Sequence, residues 1–408
     1  MGMFDTTGRA SSGEPRKPST LAKVERMTKT LRHQEPDRVP VSDFFWGSFI
    51  QRWKEELDLP DDANPYYHYD MDWIVTVPNM DPLIRPFETI KEDDEEVIVK
   101  TGFGSIMRKK FRFPMPESVG WETDTLEKLE TFAFDDPDDR RRFYEAGDNH
   151  IAGVGDGFER NSPAWIETVK KLRPDFAVFG SMAECSEYLT RMIGQENTML
   201  WIGMEPERMG NAINRIGQFC LDCLKAQIRA GGDLLDGMVI WGDVAYKNSL
   251  FFSPNYWRKY FRPWVEAMVR ESHDHGLPVI YHGCGNVSLI LDDFIEMGVD
   301  SFNPLEAKAG LDCVELRRRF GHRLGFCGNS DIQVWETGDR ERIREEVLRK
   351  LNAAKGGGLI FQSDHSVTSG VSGHTYDYIV DLVREYGTYP IKLDEFDLDV
   401  SEAKGATT

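Results

Sequence analysis

The sequence predicts an α/β protein of the (β/α)8 TIM-barrel class, with a β-hairpin insertion and an N-terminal helical extension. Three observations carry this. Eight short apolar runs alternate with helical patterns, which implies a parallel sheet, and eight favour closure into a barrel over an open sheet. The length, 408 residues, exceeds most single-core domains but suits an enlarged barrel. The ends of the apolar runs are rich in ionisable side chains, as expected where the C-terminal ends of barrel strands build an active site.

Each element has its own signal. Residues 1–19 are polar, lack the apolar stretch of a secretory signal, and read as a disordered lead. A helix then starts at Ser19 or Thr20, either of which can cap residues 21–31. The turn at Glu35-Pro36-Asp37 opens a first strand that ends at Asp43 and Trp46. Residues 72–77 form a second strand, leading to Asn79 and Asp81. Residues 85–115 break the rhythm. There, residues 96–100 and 105–108 flank Thr101-Gly102-Phe103-Gly104 and read as a hairpin inserted on the barrel. Residues 120–150 are acidic, and helical or irregular.

From residue 160 the alternation is regular. Strand three (176–180) leads to Ser181 and Glu184. Strand four (238–241) ends in Trp241, with Asp243 and Tyr246 beyond it. Strand five (279–281) delivers His282 and Cys284. Strand six (301–303) ends at Asn303, followed by Glu306. Strand seven (323–326) precedes Cys327 and Asn329, and strand eight (359–361) precedes Asp364 and His365. Helical patterns at 184–194, 206–231, 254–276, 287–297, 312–320, 339–354 and 373–387 separate them. One barrel therefore spans 20–390, and residues 391–408 form a polar tail.

Composition narrows the function. A net charge of −20 without any dense Lys/Arg run excludes a nucleic-acid face and points to a small-molecule or protein partner. No apolar run approaches the roughly 20 residues that span a bilayer. The six cysteines lack a secreted-framework spacing and fit reduced thiols in the cytoplasm.

The strongest chemical signal is Val279-Ile280-Tyr281-His282-Gly283-Cys284. Side chains two apart on a strand share a face, so His282 and Cys284 can meet one ion. Imidazole with thiolate suits zinc, and a catalytic zinc usually has three protein ligands and an open position. His365 is the first choice for the third ligand; Asp364, Cys327 and Glu306 are alternatives. The other strand-end groups divide into an acid–base set (Asp243, Tyr246, Glu184) and a substrate-lining set (Asp43, Trp46, Asn79, Trp241, Asn303, Glu306). Other features read as structural. Cys220-x-x-Cys223 lies within a helix and packs, as do Cys185 and Cys313. Arg317-Arg318-Arg319 reads as a solvated helix face, and Gly356-Gly357-Gly358 as the turn into strand eight.

These residues carry a resemblance to the uroporphyrinogen decarboxylase superfamily over about residues 20–390. It rests on residues 35–41, Asp243 with Ser253-Pro254, residues 281–285, Asn303-Pro304-Leu305-Glu306, Gly328-Asn329-Ser330-Asp331 and residues 360–367. The Arg-Gln-Ala-Gly-Arg motif of genuine porphyrinogen decarboxylases is replaced here by Asp43-Phe44-Phe45-Trp46-Gly47-Ser48. The resemblance therefore points to the branch of zinc-dependent, corrinoid-linked methyltransferases, whose His-x-Cys pair on the fifth strand binds zinc. Their third ligand is a cysteine near the last strand, where this chain has His365. The resemblance implies methyl transfer between a cobalamin-carrying partner protein and a small thiol, folate or methoxyarene, and a homodimer. In that branch the resemblance implies that the corrinoid arrives on another chain. The alternative is a metal-free, decarboxylase-like lyase acting on a small carboxylate, with Asp243 and Tyr246 at its centre.

Overall fold

The computed structural model describes residues 15–113, 115–152 and 158–393. The expected lead and tail fall largely outside those residues. Seven parallel strands form one curled sheet in chain order: Trp73–Val75, Ala177–Ala183, Gly237–Trp241, Val279–His282, Ser301–Asn303, Gly325–Cys327 and Leu359–Ile360. The two edge strands are joined by residues 40–42. Val41 pairs in parallel with Phe361, and its carbonyl accepts from the Asp72 amide. This segment takes the place of the predicted first strand and closes the ring, so the eight expected staves are all present.

A buried carboxylate fixes the closure. Asp72 is fully buried and accepts from Val41 N at 2.7 Å and from both terminal nitrogens of Arg38 at 2.7 and 3.0 Å. Arg26 also contacts it, while holding Asp37 at 2.8 Å through Nε. A buried charge is tolerated only when its lone pairs are satisfied, and here four donors do so.

The pleat decides what faces inward. Trp73, Ala177, Phe179, Val239, Ile280, Cys327 and Ile360 pack together inside the barrel. Their neighbours Val178, Met238, Ile240, Val279, Tyr281, Phe326 and Leu359 belong to the outer core beneath the helices. Met27 and Leu31 of the helix Pro18–Leu31 join the inner cluster. This helix starts after Lys17, so neither Ser19 nor Thr20 caps it; Thr20 Oγ1 donates instead to Pro174 O at 2.6 Å.

Three further expectations need correction. The inserted hairpin is the middle of a four-stranded antiparallel sheet, Glu88–Glu92, Glu96–Lys100, Ser105–Lys110 and Glu117–Trp121. The 254–276 helix is two, Pro254–Tyr260 and Arg262–Asp274, because Pro263 lacks the amide a continuous helix needs. Arg317 is not solvated: it is fully buried and donates to the carbonyls of Ala353, Gly321, Leu324, Gly357 and Gly358. It ties the turn before strand eight to the helix Cys313–Phe320. All four of the remaining structural cysteines, Cys185, Cys220, Cys223 and Cys313, are buried. Among the described residues no helix is long and apolar enough to cross a membrane.

Candidate metal centre and cavity

The parity that turns Ile280 inward also turns His282 and Cys284 to the inner side at the C-terminal barrel end. Gly285 follows with φ +82°, and a Cβ there would lie 2.7 Å from the Ala245 backbone. Only glycine suits that turn, which sets the direction of the chain just after Cys284.

The tautomer of His282 follows from its neighbours. Asn303 Nδ2 donates to Cys327 O at 2.9 Å, so the amide oxygen faces the imidazole. His282 Nδ1 therefore donates to Asn303 Oδ1 at 2.5 Å, the tautomer that leaves the Nε2 lone pair available to a metal ion. That lone pair sits 3.7 Å from Cys284 Sγ and 4.0 Å from Asp243 Oδ1. Two ligand-capable groups share the sulfur: Asp243, His282 and Cys284 on one side, and Cys284, Glu306 and His365 on the other, each with donor atoms within 4.8 Å of one another. His365 thus shares space with Cys284, while Asp243 is the group that meets both His282 and Cys284. Asp364 and Cys327 belong to neither group. Asp364 spends both oxygens on the Ala307 and Ile332 amides, at 3.0 and 2.9 Å, and Cys327 Sγ faces Gln362 Oε1 at 3.1 Å.

The electrostatics call for a cation. Burial pushes the Cys284 thiol well up, and the nearby carboxylates of Asp243 and Glu306 push it further. Burial, with the Lys308 charge, holds His365 below its ordinary range and keeps it neutral. A thiol and two imidazoles among carboxylates are a donor set that fits a borderline-soft dication such as zinc.

A cavity of about 350 Å³ opens beside this cluster. Its walls include Phe44, Trp241, Glu187, Asp243 and His282 from the barrel, and Met107, Met115 and His150 from the inserted region. Trp241 packs on His282 with ring centroids 4.7 Å apart, and Phe44 on Trp241 at 5.7 Å. A larger cleft of about 460 Å³ lies near the other end of the strands, where the His273–Asp300 pair is the main polar feature.

The remaining predicted residues divide by position. Trp46 stands edge-on to His365 at 6.1 Å. Asp43 lies behind the barrel wall. It accepts from Ser363 Oγ at 2.5 Å and Tyr376 Oη at 3.0 Å, and burial pushes it up to about 7. Glu184 is also buried behind the wall, bonded to Ser186 and Cys185 and pushed up to about 7 by burial. Asn79 shapes a turn, accepting from Asp81 N and donating to Asp148 O, both at 3.0 Å. Tyr246 is 49% exposed and stacks on Phe251, so it does not line the cavity. Glu187, Arg191, His150 and Phe44 do line it, and sequence reading did not single them out.

The family model for uroporphyrinogen decarboxylase matches residues 160–386, more than half of the chain. Uroporphyrinogen decarboxylase of Actinobacillus pleuropneumoniae serotype 5b is 28% identical over 184 residues, 45% of this chain and 49% of that protein. The enzyme of the same name from Pseudomonas fluorescens is 30% identical over 185 residues, 44% of this chain and 49% of its own. The chain thus spans about half the length of the curated relatives it matches. A methyltransferase from Methanosarcina mazei superposes with a TM-score of 0.59 at 15% identity, covering 89% of this chain and 98% of that one. At that identity the likeness establishes the barrel fold.

Proposed function

Because the chain belongs to the uroporphyrinogen decarboxylase family, we propose that within it this protein is a zinc-dependent methyltransferase. It would move a methyl group between a small substrate, such as a methoxyarene, and a corrinoid on a partner protein. The observation that carries this is the inward-facing His282–Cys284 pair, with its imidazole lone pair directed at the sulfur by Asn303. The solved methyltransferase of like fold supports the same reading. His282 and Cys284 would hold the ion, with His365, which shares space with Cys284, as the proposed third ligand and Asp243 and Glu306 at its flanks. A zinc ion there supplies Lewis acidity toward a leaving oxygen, or holds a thiol as thiolate.

The chain's own residues do the rest. Asn303 keeps Nδ1 of His282 protonated and so keeps Nε2 a donor. Glu306 and Asp243 stand where they can take the proton that Cys284 must lose. Asp243 also accepts the Cys284 amide at 2.8 Å, fixing the loop that presents the sulfur. Phe44 and Trp241 offer flat faces that orient a planar substrate beside His282.

The cavity chemistry disfavours a polycarboxylate such as a porphyrinogen. Among the described residues its wall has one guanidinium, Arg191, bonded to Glu187, with Asp243 as a second acid. Its volume of about 350 Å³ sits at the low end for ligand pockets, roughly 300–1,000 Å³. The test is methyl transfer from a panel of aryl methyl ethers to free cob(I)alamin, followed by the absorbance of the methylated product. Transfer that requires zinc and Cys284 is expected. Release of carbon dioxide from a small carboxylate, with no transfer and no need for metal, would replace this reading with the lyase.

A further inference from the structure

The inserted sheet and the barrel meet at a second polar point in the cavity. Arg191, near the end of the helix Cys185–Ile193, lines the wall with its side chain 30% exposed. Its Nε donates to Glu187 Oε2 at 3.2 Å. Among the described residues no hydrogen bond engages either terminal nitrogen of this guanidinium. Its backbone carbonyl accepts from Ser105 Oγ of the inserted sheet, which locks this end of the helix under the insertion. Beside it stands His150, 1% exposed, with Nδ1 2.8 Å from Thr101 Oγ1 and its ring 4.8 Å from Phe103. Burial, aided by the Arg191 charge, holds His150 neutral. Glu187 sits one helical turn back, with Oε1 3.3 Å from the Asp243 amide, so Arg191 is a full turn removed from the metal-side acid.

A guanidinium with its Nη edge free inside a mostly apolar chamber is a carboxylate receptor. The paired N–H groups match two carboxylate oxygens, and a charge-assisted pair is strongest where water is scarce. Phe44, Trp241, Val77 and Ile151 line the same space and suit an apolar body.

We propose that Arg191 is the anion subsite of this cavity. Resting on the methyltransferase reading for the chemistry next door, it makes the substrate a compact aromatic molecule carrying one carboxylate. The carboxylate docks on the free edge of Arg191, beside His150, and the ring lies along Phe44 and Trp241. Met107, Met115 and His150 come from the segment before residue 160, outside the family-matched region. The insertion therefore supplies part of the recognition.

Calorimetric titration with benzoate and with its neutral isostere benzamide tests this on the full chain. Wild type is expected to bind benzoate at least roughly tenfold more tightly than benzamide, as a charge-assisted pair allows. Arg191→Gln should bring the ratio near unity, and Arg191→Lys should restore part of it, with thermal unfolding checking that both variants fold. The preference should survive removal of metal by chelation. A preference that vanishes on chelation would place the carboxylate on the metal and overturn the proposal. So would an unchanged ratio in Arg191→Gln, or no benzoate binding by wild type. A ratio intact in protein that never holds zinc would sink the metal reading while leaving Arg191 in its role.

Discussion

Asn303→Ala tests how the metal centre is organised. Asn303 is 2% exposed and makes two well-formed bonds, accepting from His282 Nδ1 at 2.5 Å and donating to Cys327 O at 2.9 Å. Loss of two buried bonds, with an imidazole N–H left unsatisfied, should cost about 2–4 kcal/mol of folding stability. The functional loss is separable. Without the acceptor the imidazole can turn or change tautomer, and removing such an outer partner typically weakens metal binding by roughly ten- to a hundredfold, or ~1.4–2.8 kcal/mol. Asn303→Asp divides the two effects. It keeps an acceptor facing His282 but loses the donor to Cys327 O, so it should lose stability while holding zinc nearly as well as wild type. The assay is zinc competition against a chromophoric chelator, run well below the unfolding temperature of each variant. Zinc affinity unchanged in Asn303→Ala, or as poor in Asn303→Asp as in Asn303→Ala, would refute the assignment of the tautomer to Asn303.

Two further outcomes follow from the same geometry. Burial raises Asp43 from 3.8 to about 7, so the folded chain holds a proton that the unfolded chain releases. Its contribution to stability is full below pH 3.8 and is lost as pH rises through about 7. In that window the slope per proton is about −1.4 kcal/mol per pH unit, and Asp43→Asn should flatten urea-unfolding stability by up to that amount. An identical pH slope in wild type and variant would show that Asp43 does not titrate there. For the third ligand, His365→Ala should weaken zinc by at least the roughly tenfold seen on losing an outer partner. Asp243→Asn should keep the metal and slow turnover. The reverse pattern would move the ligand role to Asp243.

The barrel was legible because its strands are runs of buried apolar residues ending in polar ones, and the pleat then placed His282 and Cys284 together. What was not legible depends on contacts distant in sequence. The outer strands Glu88–Glu92 and Glu117–Trp121 are largely exposed, so they carry no apolar alternation to read. Glu187 and Arg191 are an i,i+4 pair whose spacing does not distinguish a cavity wall from a helix surface; only the packing of their helix against the insertion turns them into the cavity. Asp43 and Glu184 sit at strand ends as expected, but pleat parity sends them behind the wall, toward Tyr376 and Tyr281. Asn303 had the right address, and its contact with His282 appears only when strand seven lies alongside to take its amide hydrogens. Arg317 looked like one of three solvated arginines because the carbonyls that bury it belong to three separate turns.

The most direct test of the central claim is the zinc content of the purified chain, measured for wild type, His282→Ala and Cys284→Ser after identical growth with added zinc. A metal centre built on these two side chains predicts about one zinc per chain in wild type, the usual stoichiometry of such a site. It predicts loss of that zinc in both variants, since the alanine removes the imidazole and a serine hydroxyl stays protonated where a thiolate would bind. Wild-type protein that holds no zinc, or variants that hold as much as wild type, would contradict it.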